Sequence, residues 1–256
     1  MRMKGHRYLN LLREIALTQF KLKDQSTFFG YIWSFLNPLV MLVVLFAFFR
    51  LRIGANIQHY AIYLLIGIVQ YTHFSNSTSA SMRVLYTMRQ LTANTVFPKE
   101  LLVLGSVMAG SIEFILSMLI CTLIATFSGI PLSPALATLP FVIILQVMLV
   151  LWVSLLLSCL YVFVRDIDHI YQVFLRILFF LTPIFYGLSF LGVGIAKHIV
   201  LSNPLTHLIG FSRTIVIDGQ TFSVNLFLPF LLVNALLIVL GCRIFRKFEP
   251  RFAEKM

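Results

Sequence analysis

Long apolar blocks separated by short polar ones run the length of the chain. Their lengths predict six membrane-spanning helices: about Gly30 to Phe49, about Tyr60 to Ser75, within Leu101 to Phe127, within Leu136 to Val164, from near Ile170 to Pro183, and about Leu226 to Gly241. Residues 6–24 follow a different period. Tyr8, Leu9, Leu11, Leu12, Ile15, Ala16 and Phe20 share one face, and Arg7, Asn10, Glu14, Thr18 and Lys21 share the other. That segment is too polar to span and is expected to lie in the inner headgroup layer. Lys23 to Thr27 then turns the chain, with Ser26 or Thr27 as cap of the next helix. Pro38 should kink the first span, and the polar tail Ser75 to Ser81 continues the second beyond its apolar part. Leu188 to Phe222 is moderately apolar and broken by Gly192, Gly194 and Pro204. It is expected to form short helices that dip into the outer leaflet, where neighbouring protein must cover the backbone.

Composition fixes the class. The chain has 256 residues, of which 59% are hydrophobic and 11% charged, with mean hydropathy +0.94. A soluble domain does not need so much apolar surface, so the expected fold is an all-α polytopic membrane protein forming one transmembrane domain. The net charge of +11 does not point to nucleic acid, because the cations sit at the termini and in loops, where they face anionic headgroups. Arg50, Arg52, Lys197 and Arg213 fall on one side. The N-terminal cations, Arg83, Arg89, Lys99, Arg165 and the tail cations fall on the other, which puts both termini in the cytoplasm. Cys121, Cys159 and Cys242 lie far apart inside apolar runs and read as small core residues. The first apolar run has no small-residue cleavage site of a signal peptide.

Candidate chemistry is sparse. Residues 82–100 combine Arg83, Arg89 and Lys99 with a short helix, Arg83 to Leu91, that Pro98 must end. This is either a docking element or a connector. Glu113 and Arg176 are the intramembrane charges, too few for an ion-driven relay; Glu113 reads as paired with a neighbouring helix. Asp166-Ile-Asp168 with His169 resembles the metal-binding pair of a sugar-nucleotide enzyme. It also fits a short inner turn in which Asp168 caps the fifth helix. Asn76-Ser77-Thr78 is a formal glycosylation site, placed toward the inner side. No phosphate-cradling glycine loop occurs, so any use of ATP requires another chain. Tyr31, Phe35, Phe179, Phe180, Phe185 and Tyr186 form an aromatic set on the first and fifth spans, which reads as helix packing or as the lining of a path for a sugar chain.

Five stretches, in order along the chain, resemble the permease subunits of ABC transporters that export bacterial polysaccharides, closest to the O-antigen branch. They are Phe20 to Leu39 (FKLKDQSTFFGYIWSFLNPL), Ala93 to Leu102 (ANTVFPKELL), Val164 to Ile170 (VRDIDHI), Leu181 to Tyr186 (LTPIFY) and Ser202 to Leu205 (SNPL). The resemblance implies an interfacial helix within 1–29, a coupling helix within 82–100 and gate helices within 188–222. It also implies a homodimer in the bacterial inner membrane, paired with two ATPase subunits that bind ATP and Mg. Under it, Arg83, Arg89, Asn94, Val96, Phe97, Pro98, Lys99 and Glu100 meet the ATPase, and Arg165, Asp166, Asp168 and His169 form an adjoining inner contact. Tyr31, Trp33, Phe35, Asn37, Phe179, Phe180, Pro183, Phe185 and Tyr186 would line the channel. No catalytic or metal site is implied, and the chain is expected to be a transport subunit rather than an enzyme. One departure is Leu101-Leu102-Val103-Leu104, where relatives often have L-L-P-L. The alternatives are an exporter of small hydrophobic molecules and a membrane-embedded polyprenyl-linked sugar transferase.

Overall fold

The computed structural model describes residues 5–22, 32–90, 97–192 and 194–252. Its α-helices are α1 (Gly5–Leu22), α2 (Ile32–Phe49), α3 (Tyr60–Thr87), α4 (Glu100–Phe127), α5 (Leu139–Phe163), α6 (Ile167–Leu181), α7 (Ile195–Ser202), α8 (Pro204–Val216) and α9 (Val224–Phe248). Among the described residues three stretches are long and apolar enough to cross a membrane: Glu100–Phe127, Pro134–Phe163 and Val224–Arg251. Phe35–Phe49 is a shorter apolar one. The predicted cap at Ser26 or Thr27 lies outside the described residues.

α3 is the hub. At 1.5 Å per residue its 28 residues reach about 42 Å, well beyond a ~30 Å hydrocarbon core. The expected polar continuation past Ser75 is therefore helical, and it ends at Thr87. Arg83 to Thr87 consequently belongs to α3, not to a separate short helix from Arg83 to Leu91. Apolar residues on several faces of α3, including Leu64, Ile66 and Ile68, are buried against α2, α4, α5 and α8. Polar pairs hold the bundle where lipid supplies no hydrophobic drive between helices. Tyr171 donates to Thr78 Oγ1 at 2.6 Å, Gln172 to Ser79 Oγ at 3.2 Å, and Gln146 to the Gln70 carbonyl at 3.1 Å. Trp152 Nε1 ties α5 to Asn234 of α9 at 3.1 Å.

α1 uses its apolar face on protein. Ala16 is buried against the start of α4, and a Cβ on Gly105 would stand 2.5 Å from Ile15 Cγ2, so only glycine permits the approach. A second cluster forms at this inner end from Val84, Leu85, Leu102, Val103, Leu155, Cys159, Phe245 and Phe252. α9 reaches it by running beyond Gly241 through Arg243, Arg246 and Lys247.

Candidate functional site

Two regions collect the residues singled out in the sequence. At the end of the bundle where α1 packs, Glu100 opens α4 and is buried. Arg246 grips its carboxylate with two bonds, Nε to Oε2 at 2.9 Å and Nη2 to Oε1 at 2.7 Å. Tyr8 of α1 donates to Oε1 at 3.3 Å. Burial, then the Glu100 charge, pushes the Tyr8 hydroxyl up to about 12, so it stays a donor at physiological pH. Glu249 Oε1 accepts the Lys99 backbone N–H at 2.8 Å, acting as a distant N-cap for α4. Lys99 and Glu100 are thus fastened to α1 and to the C-terminal end of α9. Phe97 and Pro98 are non-helical, as Pro98 requires, and Phe97 is half-buried in the inner cluster rather than presented outward.

Beside it, Arg83 Nη2 meets Asp168 Oδ1 at 2.7 Å, and the Arg165 guanidinium lies 4.6 Å over the Tyr86 ring. The inner turn therefore touches the end of α3. Asp168 does not cap α6. Asp166 occupies the N-cap position without a side-chain cap bond, and Asp168 sits in the first turn, drawn to Arg83. Arg89 and His169 are exposed. Asn94 and Val96 lie outside the described residues.

The second region is the break after α6. Thr182 and Pro183 stop the helix, and the chain crosses to α7 as irregular backbone whose polar groups need partners. The side chains supply them. Arg213 of α8 is buried and donates from Nη1 to the Pro183 carbonyl at 2.8 Å and from Nη2 to the Ile184 carbonyl at 2.8 Å. Its Nε and Nη2 also reach the Tyr63 carbonyl, at 3.2 and 2.9 Å. Tyr60 donates to the Phe185 carbonyl at 2.8 Å and Tyr63 to the Tyr186 carbonyl at 3.0 Å. Four consecutive carbonyls are thus satisfied by three side chains, and Asn203 Nδ2 holds the Thr182 hydroxyl at 2.8 Å. Arg213, counted with the outer-side cations, is buried as a clamp between α8, α3 and the break. An isolated cation in an otherwise apolar stretch was the available signal.

The aromatic set divides. Phe179, Phe180, Phe185 and Tyr186 come together, with Phe185 at 5.1 Å from Tyr186 and 6.3 Å from Phe180 between ring centres. Their partner on α2 is Phe49, stacked on Phe185 at 4.7 Å; Phe35 is half-buried elsewhere on α2, and Tyr31 lies outside the described residues. The reason is direction. α2 and α6 run in the same direction, so the end of α6 is level with Phe49. Trp33 and Asn37, near the start of α2, line a different cleft with α3 and α4. Pro183 and Tyr186 are buried. Arg176 is exposed on α6, and Glu113 borders the Trp33 cleft.

The ABC-2 type transporter profile matches residues 11–217, taking in α2 to α8, Glu100 and the break after α6, but not Tyr8, Arg246 or Glu249. The chain belongs to the ABC-2 type transporter family. Members of this family similar to it include an O-antigen export system permease protein of Klebsiella pneumoniae, 27% identical over 248 residues, covering 96% of this chain and 94% of that one. Another, from Myxococcus xanthus, is 24% identical over 252 residues, covering 98% and 97%. The family explains why residues so unlike a catalytic centre are nonetheless elaborately positioned: a transporter needs a shaped bundle more than a reactive group.

Proposed function

We propose that this chain is the membrane-spanning subunit of an ATP-driven exporter that carries lipid-linked polysaccharide of the O-antigen type across the bacterial inner membrane. The observation that carries the reading is the near end-to-end match to O-antigen export permeases. α2, α3, α4, α5, α6 with its break, and α9 supply six crossings with both termini cytoplasmic, and α7 and α8 form the outer gate. The chain works as a homodimer with two copies of an ATPase that binds ATP and Mg, since it has no phosphate loop of its own. The ATPase takes the 82–100 segment in a groove, with Arg89 as the exposed contact. Phe97 and Glu100, packed inward, position the segment instead.

Copurification tests this. The native chain should retain the ATPase, and Arg89→Glu should lower its recovery by about tenfold or more while the permease runs as a folded species in gel filtration. A native chain that retains no ATPase would sink the reading. A Phe97 variant is a poor probe, because its loss would report folding.

The inner turn is structural in this reading. Changing both aspartates, Asp166→Asn with Asp168→Asn, removes an ion pair whose Arg83 side chain is 44% exposed, worth roughly 0.2–1 kcal/mol. Surface polysaccharide should stay within about twofold of native on that basis; a transferase using these carboxylates would lose all turnover.

A further inference from the structure

Between α2, α3 and α4, well away from the aromatic break, lies a cleft with about 120 Å³ of water-accessible space. Glu113 is thirteen residues into α4, about 20 Å from its inner end at 1.5 Å per residue, so the cleft is at membrane depth. Polar side chains there are costly and mark function. Its wall nevertheless carries the amides of Asn37 and Asn76, the hydroxyls of Ser77 and Ser117, the Glu113 carboxylate and the Trp33 indole. Trp33, Asn37 and Asn76 are exposed, so the cleft opens past them to the outside of the bundle. No Lys or Arg lines it, its histidine, His73, is buried, and the Glu113 carboxylate repels a phosphate or pyrophosphate.

We infer that this cleft binds one neutral pyranose unit of a glycan. Amides and hydroxyls both donate and accept, a carboxylate accepts from vicinal hydroxyls, and an indole face covers the apolar C–H side of a sugar ring. At a water's liquid share of about 30 Å³, the enclosed space holds about four waters, room for one edge of a hexose while the rest of the ring stands in the open mouth. The inference rests on the exporter reading for its glycan and adds a saccharide subsite inside each copy.

Photocrosslinking in glycan-producing cells tests it. Trp33→p-benzoylphenylalanine should give a glycan-reactive ladder on this chain, and the ladder should be lost when Asn76→Ala is added. Leu119, 59% exposed on α4 and outside the cleft, should give none when substituted likewise. A ladder from the same probe at Phe180 but not at Trp33 overturns the cleft and leaves the exporter reading standing. A chain whose deletion leaves surface glycan unchanged removes the exporter reading itself. If the Trp33 variant fails to accumulate, Trp152→Phe leaves Trp33 as the single tryptophan of the two present. Its emission in detergent then reports glucose, galactose, mannose and N-acetylglucosamine directly. A saturable shift with one of them supports the site, and flat responses to all through the millimolar range overturn it.

Discussion

Arg213→Met should be among the most damaging single substitutions in this chain. It deprives the Pro183 and Ile184 carbonyls of their Arg213 donors and removes two further bonds to Tyr63. Each buried carbonyl left without a donor costs about 1–3 kcal/mol, so a loss of roughly 3–5 kcal/mol is expected, equivalent to a fall of about 10 °C in the melting temperature of the detergent-solubilised protein. Methionine keeps the length of the stem, so the effect isolates the guanidinium. Arg213→Lys should fall between the two, because a point ammonium cannot fork across adjacent carbonyls. Gly67→Ala tests the same clamp from the other side. Its new Cβ would stand 2.9 Å from Arg213 Nη2 and 3.2 Å from Ile184 Cα, so the melting temperature should fall, by less than for Arg213→Met. If Arg213→Met melts with the native protein, the break is held by something other than this residue.

The second large effect is an asymmetry. The Glu100 side chain is 5% exposed and the Arg246 side chain 66%. Arg246→Ala leaves a carboxylate buried with Tyr8 as its one side-chain donor among the described residues, a loss of about 2–3 kcal/mol for hydrogen bonds to a charged group. Glu100→Gln removes the buried charge together with its need for a partner, and Arg246 returns to water, so about 1 kcal/mol is expected. A double-mutant cycle read by melting temperature checks the order. Equal single losses would mean that the pair acts as an ordinary surface bridge.

The positions of the helices were legible because apolar runs end at residues with backbone consequences. Pro98 precedes α4, Pro131 and Pro134 precede α5, and Pro183 follows α6. Helix length was less legible, since charge does not stop a helix: α9 runs on through Arg243 and Lys247, and α3 through Arg83. What a side chain touches was hardly legible at all. Arg213 looked like a surface cation because positive-inside counting assumes that cations face water, yet the break needed donors more. Phe97 and Glu100 were named as partner contacts only through the family resemblance. Nothing in the residues told that Phe97 packs against the cluster of Phe245 and Phe252, or that Glu100 pairs with Arg246, more than 140 positions along the chain. The aromatic set was recognised by composition but divided by the direction of α2, which spacing alone does not place against α6.

One rod now carries two jobs. α3 presents Tyr60 and Tyr63 to the break at one end and Arg83 and Tyr86 to the inner turn at the other. Over a length of about 42 Å, a tilt of about 5° around its middle swings each tip by about 2 Å, in opposite directions. The tip would carry the Tyr60 and Tyr63 hydroxyls out of reach of the Phe185 and Tyr186 carbonyls, to which they donate at 2.8 and 3.0 Å. α3 therefore has the form of a lever with a stiff arm on either side of its fulcrum, and a push at the Arg83 tip would arrive at the tyrosine tip as a broken latch.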